Sequence, residues 1–396
     1  MGNQSGNNKS SLLDWLLSLL GGSKSASPSI PASTPPSIPS TPPSTLPATP
    51  PSTPSIPGTT SGVPTIPADN TSEAIRIVTS RVLLVIYDPI MDATSGAKLS
   101  QVMKWGRADD MANACIQDIL ETSGGNARYQ IVQRIELNEF PVLSDGFRYN
   151  PTTYMAVMNK TAQPHKPDGA NFQPILTSLN ILPRIARHEI DEVWIFNFPY
   201  GGFPESIMGG AGAFWCNANP LPLTATCNRR FVVMGFSFER GIGEMLESFG
   251  HRAESMLSKV FNCQDFIPWA YKTGRYQTGR VPATLGANPN LFQQFASFDQ
   301  IAPGKSGIGT IHYAPNSDQD YQWDSPRLVA SNCYGWLTFP HFQSDVRQVA
   351  APEWGGGEIR LHHKWWLTHL PKVAGRTNGV ANNWWQYIVD PNLVIV

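Results

Sequence analysis

Charge is scarce in this chain. Only 15% of its 396 residues are Asp, Glu, Lys or Arg, and together they sum to −1. So small and balanced a charge gives no electrostatic pull toward nucleic acid or an anionic membrane, and neither is an expected partner. No run is long enough to cross a bilayer either. The apolar segment from Leu12 to Leu20, interrupted by Asp14, has under half of the about 20 residues a span requires. The five cysteines, Cys115, Cys216, Cys227, Cys263 and Cys333, include no C-x-x-C pair, which excludes a zinc ribbon or finger. Also missing are a Walker loop, a G-x-G-x-x-G after the first strand, a G-x-S-x-G elbow and an H-E-x-x-H helix. Nucleotide binding, serine hydrolysis and the commonest zinc-protease pattern therefore lose their sequence support.

What is abundant divides the chain. Residues 1–22 form a short apolar segment. Lys9 is the only basic residue ahead of the run, which makes a poor secretory signal, and Gly6 stands where myristoylation needs Ser or Thr. A signal-like or docking helix is the expectation. Residues 23–72 are a linker: from Ala26 to Ala68 there is no charge, and the sequence is mostly Ser, Thr, Ile and Ala around single and paired prolines. Proline fixes φ and removes a donor, so this tract is expected to be disordered, a semi-rigid spacer that buries no core. Its composition resembles the linkers of secreted bacterial polysaccharide-active enzymes, and that likeness implies an extracellular or cell-surface location. In such a compartment Cys216 and Cys227, which flank NANPLPLTAT, are the expected disulfide, with Cys263 and Cys333 next. Cys115 reads as a small buried apolar residue.

Residues 73–396 are expected to fold as one α/β domain. Arg81 to Tyr87, Tyr129 to Glu136, Glu192 to Phe198 and Phe231 to Phe238 read as strands, the first a continuous apolar run of the kind buried on both faces. Ala108 to Thr122 and Phe172 to His188 are helical in period, the latter broken near Pro183. Strands alternating with helices predict an open, mainly parallel sheet with flanking helices. A looser, aromatic-rich portion follows, closing on a strand-like LVIV. In such sheets ligands lie beyond the carboxyl ends of the strands, which singles out Asp88, Asn197, Tyr200, Glu205, Glu239 and Arg240.

The organising stretch is Phe231 to Val260, where the apolar period changes from two to 3.6. Ile242, Met245, Leu246, Phe249, Ala253, Met256, Leu257 and Val260 form the core stripe of a helix, and Glu244, Glu247, His251 and Glu254 line the opposite side. No Lys precedes Lys259 on that side. Like charges at these spacings repel, so a cation or an Arg from elsewhere must compensate them, and the helix is expected to be covered on both faces.

Glu247 and His251, at i and i+4, face one point, and a histidine from a distant segment, His312 first, would complete a site for a divalent ion, zinc or manganese. Glu239, Glu244, Glu247 and Arg240 are the candidate catalytic residues. Asp88, Tyr200, Glu205, Trp365 and Trp384 are the candidate substrate contacts, the two tryptophans as a stacking platform. The chemistry expected is metal-assisted hydrolysis of an extracellular polymer, glycan or peptide. Two carboxylates acting as a glycosidase pair would be the metal-free version. The rivals are a non-catalytic glycan- or protein-binding module and an envelope or filament subunit.

Overall fold

Four of the five strands that organise the molecule run parallel, and the reason is visible in their sequences. The computed structural model describes residues 73–276, 284–342 and 346–395. The apolar segment at 1–22 and the linker at 23–72 lie outside the described residues. The sheet is built from β1 (Val78–Tyr87), β2 (Ala127–Leu137), β3 (Glu192–Asn197), β4 (Ser206–Gly209) and β5 (Phe231–Ser237), in the order β2-β1-β3-β5-β4. Only β4 is antiparallel to its neighbour.

β1, β3 and β5 are buried on both faces, as unbroken Val/Ile/Leu/Phe runs require. Their side chains alternate between two cores. Val82, Leu84, Ile86, Trp194, Phe196, Met234 and Phe236 point into one, and Leu83, Val85, Tyr87, Val193, Ile195 and Val233 into the other. The first core is covered by helices α1 (Ala108–Thr122), α2 (Ile242–Val260), α3 (Phe266–Tyr276), α4 (Ile359–His369) and α5 (Trp385–Val389). Short helices at Pro151–Met158, Gln173–Ser178 and Ile181–Ala186 cover the second. The α/β architecture read from the sequence is thus the architecture present.

Several details differ from the sequence reading. The break expected at Pro183 comes earlier, at Asn180, whose left-handed φ of 52° separates two short helices; Pro183 sits within the first turn of the second, where its missing N–H costs nothing. The closing LVIV is no strand within its described part: Pro391–Leu393 is a 3-10 turn, and the Val394 carbonyl accepts from Arg230. All five cysteines are free thiols. The Cys216–Cys227 pairing fails because the two side chains enter opposite cores, Cys216 the first and Cys227 the second.

α2 is held to the sheet by a buried ion pair. The Arg252 guanidinium, 0% exposed, makes two hydrogen bonds to the Glu192 carboxylate at 3.0 and 2.9 Å, and also donates to the carbonyls of Ile388 and Val389. All of its charge is met inside the core, the condition under which a buried pair is tolerated. The helix is covered on its polar side too. A Cβ on Gly250 would lie 2.5 Å from Ile311, so only glycine admits the segment that carries His312.

Candidate metal centre

The polar stripe of α2 is where the sheet topology delivers its chemistry. β5 ends at Ser237, the chain turns, and adjacent residues part company. Arg240 turns to the helix side, where it bonds Glu247 at 3.1 Å and Glu205 at 3.2 Å. Glu239 has an exposed surface, and its charge is felt by Tyr154 and Tyr200, which belong to the second core. Burial of its inner part raises the Glu239 carboxyl above the ordinary range, against the pull of Arg240. The sequence grouping of Glu239 with Glu247 is therefore split by the sheet.

Glu205 arrives just before β4. A Cβ on Gly235 would lie 2.3 Å from the Pro204 carbonyl, so this glycine lets the loop close over β5 and set Glu205 beside α2. One carboxylate oxygen of Glu205 takes Arg240, and the other accepts from the Asn217 amide at 3.0 Å and lies 3.9 Å from His251 Nε2.

At the centre, Glu247, His251 and His312 are buried and offer ligand atoms that lie within 4.8 Å of one another. His312 Nε2 is 3.0 Å from His251 Nε2 and 3.3 Å from Glu247 Oε1. Each imidazole is held from behind: His251 Nδ1 by Glu254 at 3.1 Å, His312 Nδ1 by Asp320 at 3.0 Å. An ionised carboxylate only accepts, so each Nδ1 carries a proton and each Nε2 is left facing the shared point, where it offers a lone pair once the ring is neutral. Two lone pairs and a carboxylate oxygen meeting there repel unless a metal ion or a proton lies among them. A metal at about 2.0–2.1 Å from each nitrogen would subtend roughly a right angle at the observed nitrogen spacing. The buried trio can thus bind a metal ion.

The groups behind the imidazoles are themselves held. Glu254 also accepts from Tyr271 at 2.7 Å and from the Ile311 N–H at 2.9 Å, which leaves it no freedom to turn. Tyr321 donates to Glu247 at 3.0 Å and lies 2.9 Å from His312 Nε2; its φ of 60°, rare outside glycine, is the kind of local strain that clusters at functional sites. Without an ion the centre holds protons. Burial works against the His312 cation, but Asp320 and Glu247 outweigh it and push the imidazole up to about 10. Burial would likewise raise Glu247, yet His312 and Arg240 hold its carboxyl well below the usual range.

Other expected site residues lie elsewhere. Glu244 accepts from the Gly241 N–H at 2.9 Å and caps α2, the work of a Glu three residues past an N-cap. Asp88 is buried and accepts from the N–H and hydroxyl of Ser100, closing a turn. Tyr200, φ 67°, lies beyond β3 against the second core. Trp384 is 1% exposed, packed among Phe261, Phe295, Trp336 and Phe339, so it offers no face to a ligand. Trp365 is half-buried between Trp354 and His369. Sequence reasoning missed Tyr321, Tyr271 and Asn217 and gave Asp320 no role behind His312. Asp320 carried a faint signal, eight residues beyond His312 in a polar loop.

No helix among the described residues is long and apolar enough to cross a membrane. No family model matches the chain, and no curated protein matches it.

Proposed function

We propose that this protein is a metal-assisted hydrolase, exported or tethered at the cell surface, acting on an extracellular polymer. One observation carries the reading: two buried imidazoles present Nε2 to a common point with Glu247 while a carboxylate holds each Nδ1. Carboxylate, histidine and metal in line is how proteins fix a ligand's tautomer and raise its basicity. A donor set of two imidazoles and one carboxylate suits zinc or manganese and leaves a coordination position open, which distinguishes catalytic centres from closed structural ones.

An ion held there would polarise a substrate oxygen and bring a bound water's pKa to about 7. Glu205, held by Arg240 and Asn217 beside His251, is the carboxylate assigned to take that water's proton. Arg240 balances the negative charge of Glu205 and Glu247, and Tyr321 supplies a hydroxyl to developing charge. The exterior location rests on the composition of residues 23–72 alone, since the disulfide expected of that compartment is absent.

Elemental analysis of the purified chain, after reconstitution with zinc or manganese, tests this. Stoichiometric metal in the wild type and its loss in His312→Ala are expected; a wild type that retains neither ion overturns the reading. A second arrangement has Glu205 as a fourth ligand closing a structural site, since its oxygen is already 3.9 Å from His251 Nε2. Glu205→Gln separates the two: a general base loses turnover and keeps metal, whereas a ligand loses metal.

A further inference from the structure

Beside the centre lies a feature that neither the metal nor the core explains. Trp215 is 55% exposed, the one exposed tryptophan among the described residues, although tryptophan is among the most buried side chains on average. Its backbone is not loose. Cys216 next to it is fully buried, its carbonyl accepting from the Ser206 hydroxyl at 3.3 Å and its N–H donating to Ala218 at 3.1 Å. Asn217 donates its N–H to the Ser255 hydroxyl on α2 at 3.2 Å and its side-chain amide to Glu205. Phe214, on the other side, lies under the cations of Arg230 and Lys259. The segment is therefore pinned on both sides with the indole left to solvent, two residues and at most about 7 Å of backbone from the amide that holds Glu205. Leu223, on the same loop, is 81% exposed.

Which substrate such a platform serves is decided by the strand beside it. An extended peptide would dock on a free sheet edge, and β4 is the edge strand at this end of the sheet. Every residue of β4 is buried, and the loop seals its outer side: the Leu221 N–H donates to the Met208 carbonyl at 2.8 Å, and the Gly210 N–H to the Thr224 hydroxyl at 3.0 Å. No main-chain ladder is on offer. An exposed indole two residues from Asn217, whose amide holds Glu205 while Arg240 neutralises that carboxylate, instead matches a ring with one apolar C–H face and hydroxyls at its edge.

The bond cleaved follows from the carboxylates. Glycosidic cleavage needs a carboxylic acid kept protonated beside a second carboxylate. In this cluster Glu247, Glu254, Asp320 and Glu205 are all committed to His, Arg or Tyr partners, and Glu239 lies toward the other core. A metal-activated water attacks a carbonyl without such an acid. We propose, resting on the metal-hydrolase reading, that Trp215 is the floor of a sugar-binding subsite and that the group hydrolysed at the adjacent centre is an acyl substituent of a glycan. For an ester, the water oxygen bonds to the acyl carbon and the bond from that carbon to the sugar oxygen breaks. The sugar oxygen leaves with one proton, and the carboxylic acid formed loses the other to solvent.

Acetate release from acetylated xylo-oligosaccharides (esters) and from triacetylchitotriose (amides) by the metal-reconstituted protein tests this, with p-nitrophenyl acetate as a sugar-free substrate and His251→Ala as the blank. Trp215→Ala is expected to raise KM for the glycan that is turned over about tenfold with kcat changed far less, and Trp215→Phe to recover most of the loss. Equal unfolding temperatures show that the exposed substitution leaves the fold intact. An unchanged KM in Trp215→Ala overturns the subsite. Metal-dependent turnover of p-nitrophenyl acetate with neither glycan deacetylated overturns the substrate class and leaves the metal reading standing. A protein that binds no metal takes both down.

Discussion

Two groups of buried histidines lie on the same side of the sheet and are kept in opposite conditions. His251 and His312 each have a carboxylate at Nδ1 and face one another through Nε2. His362, on α4, is just as buried, but neither ring nitrogen has a hydrogen-bond partner; it stacks on Trp323 at 4.8 Å as an aromatic disc. His369 directs Nδ1 at the Trp365 carbonyl, and burial lowers its pKa to about 4. Burial alone therefore does not mark a functional histidine. The marker is what stands behind the ring: an ionised acceptor fixes the tautomer and aims a lone pair, whereas an apolar wall keeps the imidazole neutral and inert.

The comparison breaks first at Glu247. Glu247→Ala leaves Arg240 and His312 without their shared anion in a buried site, and is expected to cost about 3–5 kcal/mol in urea denaturation and to abolish metal binding. A loss below about 1 kcal/mol would place the cluster among solvated surface charges.

Acid acts next, on the other group. The folded-state pKa of His369 lies below its ordinary 6.5, so the unfolded chain binds the proton first. The resulting stability is fully present above pH 6.5 and is lost as pH falls toward 4, by about 3 kcal/mol if this histidine acts alone. His369→Gln should flatten that part of the stability profile. An unchanged slope would show that His369 is already charged in the fold, with Lys372 as its nearest cationic opponent.

A subtler test separates ligands from their supports. Asp320→Ala leaves all three ligands in place and is expected to weaken metal affinity about 10–100-fold by chelator competition. The smallest effect belongs to His362. With no hydrogen bond to lose and an aromatic neighbour to keep, His362→Phe should change stability by less than about 1.5 kcal/mol and leave the metal content untouched. The same change at His312 removes the centre.

How much of this was legible in the sequence depends on how each contact is encoded. Glu247 and His251 were readable because helical periodicity is local, and the sheet was readable because strands buried on both faces write themselves as unbroken apolar runs. The supports were not. Asp320 and Tyr321 reach His312 from an irregular loop, and Tyr271 reaches Glu254 from the next helix, contacts that no spacing rule anticipates. Glu244 was legible as a carboxylate of the stripe, but its cap was not read: with Gly241 at the N-cap, it is three residues in, where a capping carboxylate belongs. The tryptophans inverted. Trp384, expected in a stacking platform, fills the core, while the single Trp215 in a Gly- and Pro-rich loop is the exposed one among the described residues. Type and pairing say little about exposure when a residue is large enough to be wanted in both places.

The buried pair of Arg252 with Glu192 sets an order on biosynthesis. Glu192 precedes Arg252 and is ready to meet it, but the carbonyls of Ile388 and Val389 that complete the guanidinium's shell lie 136 and 137 residues downstream. At ribosomal rates that separation is roughly 7 to 30 seconds, during which the helix bearing Glu247 and His251 exists with an unfinished cation on its inner side. The nascent chain thus cannot close its interior as each element emerges. It must wait for α5, and the helix bearing Glu247 and His251 is fully seated only once that last part of the sheet's cover has been translated.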